Sequence, residues 1–224
     1  EQRALHAVMR IAAGGADASA ESEELARLGG AALPFVLPAL DTLTPEGRGR
    51  VARALAPVRA RMGFERELED HNQEVLFWSR FWEEHSIDFR PIVAEQAVRR
   101  LALRSSPSRV SEIRRLDTYA LSELIAGMTP IERALDVERL AVLAELAADM
   151  TGQEQLRLPE GASLDEARAV ALGWQDFWNA RRVEYTTYRG AERLVAMFRD
   201  TRYGNWVAQA TRRELGVLSS GESA

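Results

Sequence analysis

Trp78-Ser79-Arg80-Phe81-Trp82, followed by Ile87-Asp88-Phe89, returns later in the chain as Trp174-Gln175-Asp176-Phe177-Trp178, followed by Val183-Glu184-Tyr185. Six positions match at a single offset of 96 residues, and four of them are aromatic pairs in a chain that is only 7% aromatic, so chance is a poor account of the match. In each copy the tryptophans stand at i and i+4, which puts both on one helix face with the phenylalanine beside them. Working outward, Ala32-Leu33 with Leu37 matches Ala120-Leu121 with Ile125 at an offset of 88, and the helix end at Met62-Gly63 matches Met150 near Gly152. The offset grows because the Gly152 to Ser163 loop is longer than its counterpart after Gly63, and loops tolerate insertions. Residues 1–224 therefore read as one domain made of two related halves, about 21–112 and 113–215. Each half holds a helical hairpin, an aromatic helix and a shorter return helix.

Helical punctuation runs throughout, and no strand-like alternation lasts more than a few residues, so the fold is expected to be all-α. Gly14-Gly15 ends a first helix bearing Leu5, Val8, Met9 and Ala12, and Glu21 to Leu28 forms a second. Thr44-Pro45 reads as an N-cap with proline at the first helical position. Arg90-Pro91 and Ser106-Pro107 read alike, and Ser163 with Glu166 forms a capping box. Further helices are expected near 65–85, 107–115, 118–128, 137–150, 164–183, 189–198 and 204–215. The hairpin from Leu33 to Met62 resembles a HEAT-type repeat, which implies stacked antiparallel helix pairs.

The 224 residues are ample for a real core, with 46% hydrophobic and 28% charged residues. The net charge of −5 argues against a general nucleic-acid binder. All basic residues are Arg, which reads as GC-rich coding, and the absence of Cys removes disulfides, thiolate metal sites and Cys nucleophiles together. The longest uncharged stretch, Leu28 to Leu40, is short of the roughly 18 residues of a membrane span and holds two prolines. With no initiator Met and Glu1 inside an apparent helix, the sequence reads as cut from a longer protein.

Residues able to carry chemistry are few. The paired tryptophans could form platforms for a peptide or sugar, but copies kept in both halves read better as core, with Trp78, Phe81, Trp82, Trp174, Phe177 and Trp178 mostly buried and the two copies meeting near the domain centre. Glu67, His71 and Glu74 could in principle hold a metal on one helix face, yet they belong to an acidic run that reads as solvated. His6 stands alone, and His85 sits at a helix end where a cation is favoured. No nucleophile elbow, phosphate loop or zinc helix is present, so no catalytic, cofactor-binding or metal residues are assigned. The doublets Arg99-Arg100, Arg114-Arg115, Arg181-Arg182 and Arg212-Arg213 fall in last turns, where cations cap carbonyls.

Asp200-Thr201-Arg202-Tyr203-Gly204-Asn205-Trp206-Val207, leading to Glu214-Leu215-Gly216 and Ser219, resembles the stretch before the second transmembrane helix of permease subunits in dipeptide/oligopeptide ABC importers, with one extra residue before the serine. The rest of the chain, with Leu116-Asp117-Thr118-Tyr119-Ala120-Leu121, is similar to the large helical insertion that some members carry between their first and second membrane helices. The resemblance implies a non-catalytic domain on the periplasmic face of a bacterial inner membrane. Its partners would be the remainder of the permease, its fellow subunits and a substrate-binding protein. It implies partner contacts for Arg202, Tyr203 and Trp206, and places Glu1 near Ala224. The rival readings are a cytoplasmic HEAT-like scaffold and a helical enzyme for which no site is found.

Overall fold

The computed structural model describes residues 1–64, 68 and 70–185. Among them the chain is all-α, with no strand. In order come α1 (Gln2–Ala13), α2 (Ala18–Leu28), α3 (Leu33–Ala39), α4 (Pro45–Ala54), α5 (Ala56–Arg61), α6 (His71–His85), α7 (Pro91–Leu103), α8 (Pro107–Leu116), α9 (Leu121–Gly127), α10 (Ala134–Thr151) and α11 (Leu164–Tyr185). Two short 3-10 helices matter below, Gly29–Ala32 and Asp117–Ala120.

The stops and starts follow local chemistry. Gly14 closes α1 in the left-handed conformation at φ 72°. Thr44 Oγ1 accepts from Gly47 N at 3.2 Å to open α4, and Ser163 and Glu166 bond reciprocally before α11. The helix expected from residue 65 begins instead at His71, because the Asp70 carboxylate caps it, accepting from Asn72 N and Gln73 N at 2.8 Å. Likewise α10 begins at Ala134, where the Asp136 carboxylate accepts from Glu132 N and Arg133 N, both at 2.9 Å. The expected 118–128 helix is divided into a 3-10 turn and α9, and the positive φ of 47° at Asp117, which no α-helix accommodates, closes α8 ahead of them.

The duplication is visible in backbone and packing. Gly29 (φ 58°, ψ −138°) and Asp117 (φ 47°, ψ −142°) share one unusual conformation, and each starts a 3-10 turn that runs into a seven-residue helix. Leu25 and Ile113, Leu28 and Leu116, Leu33 and Leu121, Val36 and Leu124, and Leu37 and Ile125 are buried in matched places. Trp78 meets Phe81 edge-on at 5.5 Å and 81°, and Trp174 meets Phe177 at 5.5 Å and 79°. Within the half expected to end near 112, α7 packs not on α6 but on α8, α9 and α10, as α1 packs on α2, α3 and α4. Its buried Ala94, Ala97, Val98 and Leu101 repeat the buried Ala4, Ala7, Val8 and Ile11 of α1.

A correction concerns the centre. No ring contact joins the two tryptophans; α6 packs on α3 and α4, whereas α11 packs on α9 and α10. The two 3-10 turns meet instead, because Gly30 lets the Leu116 carbonyl approach so closely that a Cβ there would lie 2.0 Å from its oxygen.

Candidate functional site

Three places could carry chemistry, and each is defined by what its side chains touch. The aromatic helices come first. Trp78 and Trp174 are 0% exposed, and Trp174 Nε1 donates to the Leu156 carbonyl at 2.9 Å, so neither ring is a platform for a ligand. Phe81 is buried as well, while Trp82, Phe177 and Trp178 are half-buried against the core. The expectation of burial therefore holds in full for three of the six rings, the others lying one step round the helix towards solvent.

The second place is the polar seam between the turns. Asp117 is fully buried, accepting from Gly30 N at 2.9 Å and from Arg61 Nη2 and Nε at 2.9 and 3.2 Å. Arg61 Nη2 also donates to the Ala26 carbonyl at 2.7 Å. Thr118 Oγ1 accepts from Ala31 N at 3.0 Å and donates to the Leu28 carbonyl. Both carboxylate oxygens of Asp117 are bonded within the protein and the side chain is 0% exposed, so the seam joins the halves and does not open to a substrate. Sequence reading passed over Asp117. Its alignment with Gly29, 88 residues earlier, is the signal that marks a backbone position meant for glycine, and only a compensating carboxylate network explains an aspartate there.

The third is a groove of about 660 Å³ beside α6. Phe64, Leu76, Phe77 and Phe81 supply apolar lining, and Arg80, Glu84 and His85 supply polar lining. Arg59 also lines it and forms a buried ion pair, Nη2 to Glu74 Oε1 at 3.3 Å, with its guanidinium 5.6 Å from the Phe77 ring centre and its Nη1 donating to the Phe64 carbonyl at 2.7 Å. His85 Nδ1 lies 3.1 Å from Asp88 Oδ2, and its ring rests on Phe81. Apolar lining with polar groups around it suits an inserted side chain of a partner.

The remaining candidates resolve one by one. Glu74 is turned inward to Arg59, and Arg53 Nη2 donates to His71 Nδ1 at 2.8 Å, which occupies that lone pair because a guanidinium cannot accept. Glu67 lies outside the described residues. No group of three or more His, Asp or Glu able to hold a metal occurs among the described residues. Arg100 pairs with Glu112, Arg114 with Asp149 and Arg181 with Glu184. The last carbonyls of α7 are met by Arg109, outside any doublet, at 2.9 Å to Arg100 O and 2.6 Å to Arg104 O. The Asp136 carboxyl is held below the usual range by the two backbone N–H groups it accepts. Arg202, Tyr203, Trp206, the Arg212-Arg213 doublet, the helices expected at 189–198 and 204–215, and the expected approach of Ala224 to Glu1 all lie outside the described residues. No helix among the described residues is long and apolar enough to cross a membrane. No protein-family model, curated protein or solved structure matches the chain.

Proposed function

We propose that this chain is a non-catalytic extracytoplasmic docking element of a peptide-type ABC importer permease, set on the periplasmic face of the inner membrane. One observation carries the reading: the run from Asp200 to Ser219, with Glu214-Leu215-Gly216, resembles the approach to the second membrane helix of such permeases. The groove beside α6 supports a role played by contact, since its apolar lining suits a side chain offered by a neighbouring subunit or a binding protein.

Cysteine accessibility tests the location, because this chain has no cysteine of its own. In the natural full-length protein, with any cysteine outside this chain replaced, Met9→Cys places a thiol at a site 64% exposed on α1. A membrane-impermeant maleimide should label it in intact cells whose outer membrane admits the reagent. Labelling only after the inner membrane is broken would reject the reading in favour of a cytoplasmic helical scaffold.

A further inference from the structure

Large apolar side chains left exposed singly need no explanation, but here a pair at one spacing recurs. Leu76 (49% exposed) and Ile87 (49%) stand at the same offset of 96 from Leu172 (59%) and Val183 (76%) that relates the tryptophans. On α6, Leu76, Arg80 and Glu83 follow at i, i+4 and i+7 and share one face, and Ile87 lies in the turn just beyond. That face is turned from α3 and α4, the helices on which α6 packs, and it borders the 660 Å³ groove. Neither Arg80 nor Glu83 has an ion-pair partner among the described residues.

The order apolar, cation, anion, apolar is complementary to itself when reversed. We propose that the α6 stripe binds the α6 stripe of a second copy of this chain, the two helices antiparallel about a two-fold axis between residues 81 and 82. Leu76 then rests on Ile87 of the second copy, and Arg80 faces Glu83 of the second copy, each contact occurring twice as an isologous interface requires. A parallel arrangement would set Arg80 on Arg80 and Glu83 on Glu83, which like-charge repulsion disfavours. The equivalent stripe of α11 keeps the apolar ends but carries Asp176 and Asn179 between them, so it lacks the reciprocal ion pairs and serves as an internal control. One helix pair falls at the small end of specific interfaces, so the dimer is a weak one. The proposal does not depend on which side of a membrane the domain occupies.

Sedimentation velocity on the whole 224-residue chain, from about 10 μM to about 1 mM, spans the weak range concerned. The weight-average mass should rise from 25.0 kDa towards twice that value. Arg80→Glu should weaken the dimer at least about tenfold, because the contact is lost and reversed twice. Arg80→Glu with Glu83→Arg should restore it, Leu76→Asp should abolish it, and Leu172→Asp should leave it unchanged. All four positions are exposed, and equal thermal melts confirm that folding is intact. A monomer throughout would overturn the proposal. So would a dimer that Arg80→Glu leaves as strong, a double variant that fails to restore it, or rescue of Arg80→Glu by Asp176→Arg in place of Glu83→Arg.

Discussion

Asp117 combines two opposed effects at one residue. Its φ of 47° with ψ of −142° is a conformation that suits glycine, while its carboxylate accepts from Gly30 N and twice from Arg61 in a fully buried place. Asp117→Ala should cost about 3–5 kcal/mol, since it leaves the Arg61 charge and a backbone N–H without their acceptor and keeps a Cβ at positive φ. Asp117→Gly loses the same acceptors but relieves the backbone, so it should be milder by about 1 kcal/mol. Urea denaturation of the two variants checks the ranking, and an equal or larger loss for glycine would show that the backbone is not strained. Gly30→Ala should be worse than either single loss of a contact elsewhere in the turns, because its Cβ would strike the Leu116 carbonyl oxygen at 2.0 Å. At the rings, Trp78→Ala and Trp174→Ala should each cost about 3–5 kcal/mol. Trp82→Ala and Trp178→Ala remove half-buried rings and should cost clearly less.

At the scale of elements, caps decide where helices begin, and Asp136 makes this measurable by pH. The unfolded carboxyl titrates near 3.8, and the backbone hydrogen bonds from Glu132 and Arg133 hold the folded one lower. A lowered folded value means that the unfolded state binds the extra proton, so the contribution is complete above the unfolded value and is lost as pH falls through the folded one. Asp136→Asn should therefore be less stable than the parent at pH 7, and the gap should close as the pH drops below about 4. Thermal melts across that range test this, and a gap independent of pH would assign the effect to packing. Thr44→Ala, which removes the acceptor for Gly47 N, should lower stability by about 1 kcal/mol at any of these pH values. The same logic explains a difference from sequence expectation: Asp70 and Asp136 fix the starts of α6 and α10, and short polar caps several residues from an apolar stripe are hard to rank without the backbone that meets them.

For the whole molecule, the seam of the two 3-10 turns should be the last part to open. Amide hydrogen exchange should be slowest in residues 29–37 and 117–125, where Leu33, Val36, Leu121 and Leu124 are all 0% exposed. Slowest exchange in α6 and α11 would place the stable centre at the tryptophans instead. Sequence alone determined the all-α class, the duplication and most helix ends, because these rest on local signals: apolar spacing, Gly14 and Gly152 at helix ends, proline at first turns, and aromatic pairs repeated at one offset. It also identified Trp78 and Trp174 as core, since large rings kept in matched copies need burial. Which elements meet was decided only by tertiary structure. The partner of α7, the meeting of Gly30 with Leu116, and the Arg61 to Asp117 link across 56 residues depend on backbone approach and on burial of charge. Neither leaves a periodic trace in the chain. The groove beside α6 is of the same kind, because Phe64 and Phe77 belong to different segments that only folding brings within 5.2 Å.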